Sequence, residues 1–142
     1  MPFIYTHPVN ETITMQVKID TKEKFTVVLP LEPHIYDNMA AELAAVCNTY
    51  LEKNIKNIIL NLEAVKLLDE AIAITIAQLQ EQFYAKAASF VVCNVNTAIK
   101  KVFEDLALID YLNLTPTESE AWDIVQMDEI ERELLNDGST QA

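Results

Sequence analysis

The side chains from which nucleophilic or metal chemistry would have to be built are few here: His7, His34, Cys47, Cys93, Ser89, Ser119 and Ser139. Each histidine stands beside a proline, in His7-Pro8 and Pro33-His34, and no cysteine lies at metal-ligand spacing from either. A covalent nucleophile needs a base that converges on it, and none of the serines sits in an elbow or triad context. The two cysteines fall in apolar patterns, where a free thiol serves as a small hydrophobe rather than half of a disulfide. Carboxylates are abundant, 22 Asp and Glu in 142 residues, so no particular pair is marked as an acid and base. Their main concentration is Glu118, Glu120, Asp123, Asp128, Glu129, Glu131, Glu133 and Asp137, opposed only by Arg132. That run reads as a solvated helix face, or alternatively as a docking surface for a basic partner. No catalytic residue, metal or cofactor is expected.

Composition removes further classes. A net charge of −12 is unsuited to neutralising phosphates, which argues against nucleic acid and anionic membrane as partners. The single glycine, Gly138, stands against roughly ten at average usage. Dinucleotide and phosphate loops need several glycines for close backbone approach, so neither is expected. No apolar run approaches the ~20 residues of a membrane span, and the first residues lack the pattern of a signal peptide. A cytoplasmic protein of one domain is the expectation.

The elements that position the remaining residues are read from periodicity. Ile13 to Ile19 alternate with a period of two, and Phe25 to Leu29 form a second β-rich run, together an antiparallel pair about a turn at residues 20–23. Met39, Leu43, Val46 and Tyr50 share one face of a helix over residues 37–53, with Asp37 as its expected N-cap. Ile58 to Leu62 read as a strand covered on both faces, and Glu63 to Asp69 as its exit loop. A second helix over 70–86 carries Ile72, Ile76, Leu79 and Phe83 on its inner stripe. At about 100° per residue this turns Ile74 outward, so Ile74 is expected to be exposed. Ser89 to Cys93 form another buried strand, and Asn96 caps a helix with Ile99, Val102, Phe103 and Leu106 inward. Thr115-Pro116-Thr117-Glu118 places a cap, a proline at the first turn and a glutamate at the third helical position, so the last helix should start at Pro116 and run towards Leu134, fraying over 137–140. The order β-β-α-β-α-β-α-α implies an α/β domain with a largely parallel central portion.

Three stretches carry a family resemblance. Asn61-Leu62-Glu63-Ala64-Val65-Lys66-Leu67-Leu68-Asp69 before a helix is similar to the STAS stretch in which a buried strand leads to Asp-Ser-Ser-Gly. Cys93-Asn94-Val95-Asn96-Thr97-Ala98-Ile99-Lys100-Lys101-Val102-Phe103-Glu104-Asp105-Leu106 resembles that family's later strand-loop-helix, and Leu112-Asn113-Leu114-Thr115-Pro116-Thr117-Glu118-Ser119-Glu120-Ala121 resembles the start of its final helix. The match spans roughly residues 13–125, which leaves residues 1–12 as an N-terminal segment and 126–142 as an acidic helical extension. The resemblance implies a mixed, mostly parallel sheet flanked by about four helices, and a binding module in place of an enzyme. It implies as partner a kinase-type anti-sigma factor or another signalling ATPase, docking around the start of the second helix. A stand-alone accessory subunit of a lipid-transport ATPase complex is the alternative, and a homodimer is left open.

The sequence departs from the family where phosphorylation occurs. Asp69-Glu70-Ala71-Ile72 takes the place of Asp-Ser-Ser-Gly, so Ala71 aligns with the phosphorylated serine and has no hydroxyl. Glu70 is read either as a first-turn acid suited to the helix dipole or as a partial imitation of phosphoserine, with about half a phosphate's charge. Asp69 is read as an N-cap or turn acceptor, or as part of the partner-facing surface. Glu70, Ala71, Ile74, Thr75 and Gln78, with Asp69, form the expected docking patch.

Overall fold

A computed structural model describes residues 3–8 and 14–141, with side chains over 15–135. A six-stranded sheet in the order β1-β2-β3-β5-β7-β8 forms its middle layer. The strands are β1 (Phe3–Pro8), β2 (Thr14–Thr21), β3 (Thr26–Pro30), β5 (Ile58–Asn61), β7 (Phe90–Cys93) and β8 (Leu114–Thr115). β1, β2 and β3 pair antiparallel, while β3, β5, β7 and β8 pair parallel. A separate two-stranded parallel ladder joins β4 (His34–Ile35) to β6 (Leu67–Leu68). The helices are α1 (Ala40–Asn48), α2 (Glu70–Ala85), α3 (Thr97–Asp105) and α4 (Glu118–Gln141).

Strand periodicity sorts the core onto two faces. In β5, Ile58 and Leu60 point into one cluster and Ile59 into the other; in β7, Phe90 and Val92 oppose Val91 and Cys93 in the same way. The larger cluster holds Met15, Val17 and Ile19 of β2 with Leu43, Val46 and Cys47 of α1, Ile72, Ile76, Leu79 and Phe83 of α2, and Ile99 and Phe103 of α3. The smaller joins Phe25, Val27, Ile59, Val91 and Cys93 to Ala121 and Val125 of α4, with Trp122 tilted on Phe25 at 5.2 Å between ring centroids. Cys47 and Cys93 thus lie on opposite faces as free thiols, and burial pushes each up to about 12, helped at Cys93 by Glu118 and Glu63. β2 alternates buried and exposed because, among the described residues, no element covers the outer sides of Gln16 and Lys18.

Several elements differ from the expectation. The segment before residue 13 contains β1, whose Pro8 ends an edge strand, a place where its missing N–H costs the ladder nothing. The expected exit loop over 63–69 contains β6. The first helix is divided, with short 3-10 turns at Asp37–Met39 and Thr49–Glu52 on either side of α1. Asp37 is not its cap: Tyr36 holds the extended N-cap position and Asp37 sits inside the first turn. The last helix starts at Glu118, not Pro116, because Thr115 is drawn into β8 opposite Cys93. The capping box forms two residues later: the N–H of Glu120 donates to Thr117 Oγ1 at 3.2 Å and the Thr117 hydroxyl donates to Glu120 Oε1 at 3.0 Å. The helix then continues through 126 and the expected frayed end to Gln141.

A buried polar junction fixes α4 to the sheet. Asn57, 4% exposed, accepts from the N–H of Ser89 at 2.8 Å and donates to Lys24 O at 2.9 Å and Glu129 Oε2 at 2.7 Å. The Ser89 hydroxyl donates to Asp128 Oδ2 at 2.6 Å and accepts from Arg132 at 2.8 Å, and Arg132 also donates to Glu129 Oε2 at 3.1 Å. The starts of β3, β5 and β7 are tied to one turn of α4 by this network.

Candidate functional site

Two features meet on the outward side of α2: a polar knot at its start and an apolar cleft along its middle. The knot is built by the β4–β6 ladder. Pairing His34 with Leu67 and Ile35 with Leu68 makes residues 36–37 and 69–70 emerge side by side, and the N–H of Asp69 donates to Ile35 O at 3.0 Å. Asp69 holds the extended N-cap dihedrals of α2, yet its carboxylate gives that helix no cap bond. It turns across the ladder instead: Oδ1 lies 2.8 Å from His34 Nε2, and Oδ2 accepts the N–H of Asp37 at 2.9 Å. Asp69 is therefore a side-chain cap for the preceding helical segment, made from 32 residues away. The Tyr36 ring, half exposed, stacks on His34 at 3.9 Å and 8°.

These contacts set the charges. The hydrogen bond from His34, followed by that from the Asp37 N–H, holds the Asp69 carboxyl below its ordinary value, while desolvation and the neighbouring Asp69 push Asp37 above its own. Two neighbouring carboxyls are thus driven in opposite directions, Asp69 by the hydrogen bonds it accepts and Asp37 by desolvation and the charge beside it.

Along α2, Ile72, Ala73, Ile76, Leu79 and Phe83 are buried, and Ile74 is 46% exposed, as the helical period requires. Glu70 and Gln78 are exposed, and Ala71 and Thr75 half-buried. The Thr75 hydroxyl donates to Ala71 O at 2.9 Å, so it is committed to the helix backbone. The Ser89 hydroxyl is committed too, in the buried junction under α4.

Ile74 and Gln78 form one wall of an open cleft of about 320 Å³, with Leu108 and Tyr111 opposite. The opposite wall is the turn after α3. Ala107 takes a left-handed φ of 59° there, and the N–H groups of Ala107 and Leu108 close onto Glu104 O and Phe103 O at 3.0 and 2.8 Å, a Schellman ending. That wall is clamped to α2: Gln80 donates to Tyr111 O at 2.9 Å and accepts from the N–H of Asn113 at 2.7 Å, and the Tyr111 hydroxyl donates to Glu81 Oε2 at 3.1 Å. The bond to Glu81 raises the Tyr111 hydroxyl above its ordinary value.

The expected patch divides accordingly. Ile74 and Gln78 share the cleft; Asp69, Glu70, Ala71 and Thr75 occupy the helix start beside it. His34, Tyr36, Asp37, Leu108 and Tyr111 were not among the expected residues. Only the helical period that turned Ile74 outward hinted at a surface on α2, and nothing local linked it to 108 or 111. Among the described residues no group of His, Cys, Asp and Glu could hold a metal ion, and no helix is long and apolar enough to cross a membrane.

A central mixed sheet with three helices on one face and a fourth on the other describes a class of α/β domain. Residues 16–121 match the STAS domain model, and the chain belongs to that family. Solved structures agree on the fold. An anti-sigma factor antagonist from Mycobacterium paratuberculosis superposes with a TM-score of 0.69 at 18% identity, covering 79% of this chain and 94% of that one. The anti-sigma factor antagonist SpoIIAA in its unphosphorylated form gives 0.65 at 18% identity, with 78% and 96% covered. The murine anion transporter Slc26a9 gives 0.61 at 12%, covering 89% of this chain and 22% of the transporter, so the same fold also occurs within a larger protein. No curated protein sequence matches the chain at a significant level.

Proposed function

We propose that this chain is a non-enzymatic regulatory module that captures a protein partner on the outward side of α2, in the manner of an anti-sigma factor antagonist. The cleft between Ile74 and Tyr111 carries the reading, since it joins exposed apolar side chains to a rigid, hydrogen-bonded frame beside the start of α2. A pre-formed apolar anchor site with a polar rim is what partner recognition uses, because ordering costs are met before binding. Asp69, Glu70, Ala71 and Thr75 supply the rim, and Ile74 and Gln78 the anchor wall. The candidate partner is a kinase-type anti-sigma factor or another signalling ATPase. Ala71 stands at the position of the family's phosphorylated serine, so control there cannot proceed by phosphoryl transfer to that residue. Thr75, bonded to the backbone, is a poor substitute.

The test is affinity capture from native cytosol with the wild-type chain and Ile74→Asp, followed by mass spectrometry. A signalling ATPase recovered with wild type and lost with Ile74→Asp is the expected result. Transporter subunits in its place would move the reading to an accessory subunit, and equal recovery by both baits would remove the cleft as the docking surface.

A further inference from the structure

The outer face of α4 is apolar where no packing requires it. Ala121 and Val125 face the sheet, and Asp128, Glu129 and Arg132 close the polar junction beneath the same side of the helix. Opposite them, Met127, Ile130 and Leu134 are 60%, 55% and 63% exposed. Their spacing of i, i+3 and i+7 makes a single stripe along two turns, the seam with which one helix receives another. The helix is therefore apolar on two opposed sides, and only one of them is satisfied by the fold.

The charges around the stripe select its occupant. Glu131 and Glu133 flank it at the positions that border a helix–helix seam, and Asp123, one heptad before Ile130, lies in line with it; all three are exposed. Arg132 is the only basic residue between 118 and 141, and it is turned inward onto Ser89 and Glu129. A second copy of this chain would set Asp123 and its neighbours against their own like charges, in a molecule of net charge −12. A basic helix would meet every one of these carboxylates with an opposite charge. We infer that the stripe Met127-Ile130-Leu134 is a second docking surface, built for an amphipathic helix with a basic rim. The sheet separates it from the cleft on α2, so the two surfaces can be occupied together.

The probe is a synthetic peptide of about 18 residues with leucines at helical spacing and lysines on the remaining positions, labelled for fluorescence anisotropy with the full chain. Binding is expected, at least ~10-fold tighter than that of a scrambled peptide of identical composition. Met127→Gln/Ile130→Gln/Leu134→Gln keeps the charge and touches no core residue, so it should retain the wild-type melting temperature and weaken binding about 10-fold or more. Glu131→Gln/Glu133→Gln/Asp123→Asn should weaken binding and flatten its dependence on salt, since opposed charges at the rim act through screened attraction. Equal affinity for the scrambled peptide, or unchanged affinity of the triple glutamine variant, would overturn the inference. A wild-type dimer in light scattering that becomes monomeric in the triple glutamine variant would overturn it as well, by assigning the stripe to a second copy.

Discussion

Two helices of this protein end on an alanine where glycine is the economical residue. Ala87 after α2 and Ala107 after α3 have φ of 57° and 59°, and each closes a Schellman ending: Ala88 N–H to Phe83 O at 2.9 Å and Ala87 N–H to Tyr84 O at 3.0 Å in the first, the corresponding pair from Leu108 and Ala107 in the second. A β-carbon in the left-handed region crowds the following carbonyl and costs about 1–2 kcal/mol per residue. Replacing it by glycine removes that cost but adds about 0.4–1 kcal/mol of unfolded-chain freedom, so each substitution should stabilise by about 0.5–1 kcal/mol. The two sites follow different helices and share no partner, so Ala87→Gly/Ala107→Gly should gain about 1–2 kcal/mol. In a domain of this size that raises the melting temperature by roughly 3–8 °C. Calorimetry and urea titration measure it, with Ala41→Gly as the control: Ala41 is exposed on α1, and glycine there should lose about 0.5–1 kcal/mol. A double variant that melts at or below the wild-type temperature would refute the reasoning, for it would mean that the two caps carry no strain. Because Ala107 turns the chain into the wall bearing Leu108 and Tyr111, the stabilised variant should also keep its partner.

Asp69→Asn should reshape the acid limb of stability. The lowered Asp69 contributes stability that is present above the ordinary carboxyl value of 3.8 and lost as pH falls below it, whereas the raised Asp37 acts oppositely, its contribution being full below 3.8 and lost as pH rises through its higher folded value. Urea midpoints between about pH 2.5 and 6 should fall less steeply toward acid in Asp69→Asn than in wild type, and parallel curves would contradict the His34 and Asp37 bonds. Asn57→Asp loses two donors and sets a carboxylate against Glu129, so it should cost about 3 kcal/mol or more at neutral pH. Much of that loss should return in acid, since the new carboxyl is pushed upward in the folded state, and a pH-independent loss in urea titration would count against the geometry. Thr117→Ala should cost about 1 kcal/mol by removing the cap of α4, and more than Pro116→Ala, if the capping box lies where the hydrogen bonds place it. Glu70→Ser should change the affinity for the captured partner if its charge imitates phosphoserine; calorimetric titration giving an unchanged Kd would leave it as a helix-dipole acid.

What the sequence displayed and what it hid divide along the range of the interactions. Ile72, Ile76, Leu79 and Phe83 were legible as an inner stripe because a 3.6-residue period is repeated over about three turns, and the same period exposed Ile74. The runs at 58–62 and 89–93 were legible because apolar residues on both sides of a strand mark a sheet covered on both faces. Two-residue strands carry no period, so β4 and β6 could not be seen, and with them went the whole reason for His34 and Asp69 to meet. Asp69 illustrates the limit most directly. Its local sequence is that of an N-cap, its backbone adopts the cap geometry, and its carboxylate still goes to His34 and to the N–H of Asp37. The competing bonds come from 35 and 32 residues away, across the β4–β6 ladder, which makes them invisible to any local pattern.

The capping box of α4 failed for a different reason. Thr115-Pro116-Thr117-Glu118-Ser119-Glu120 contains the Thr-x-x-Glu pattern in two registers, and helix propensity favours the earlier one because Pro116 would stand at the first turn. The choice is made by the sheet: Thr115 continues the parallel ladder beside Cys93, which fixes its backbone as extended and passes the cap to Thr117. In the helix that follows, Ala121 and Val125 close on Ile59, Val91 and Cys93 while Met127, Ile130 and Leu134 turn away from the sheet. Had the helix lain with Met127 and Ile130 against the sheet, Arg132, Glu129 and Asp128 would have faced solvent and the junction at Asn57 and Ser89 would lack its partners. The buried polar network therefore specifies which side of α4 is outermost and holds the stripe Met127-Ile130-Leu134 away from the sheet, where a partner can cover it.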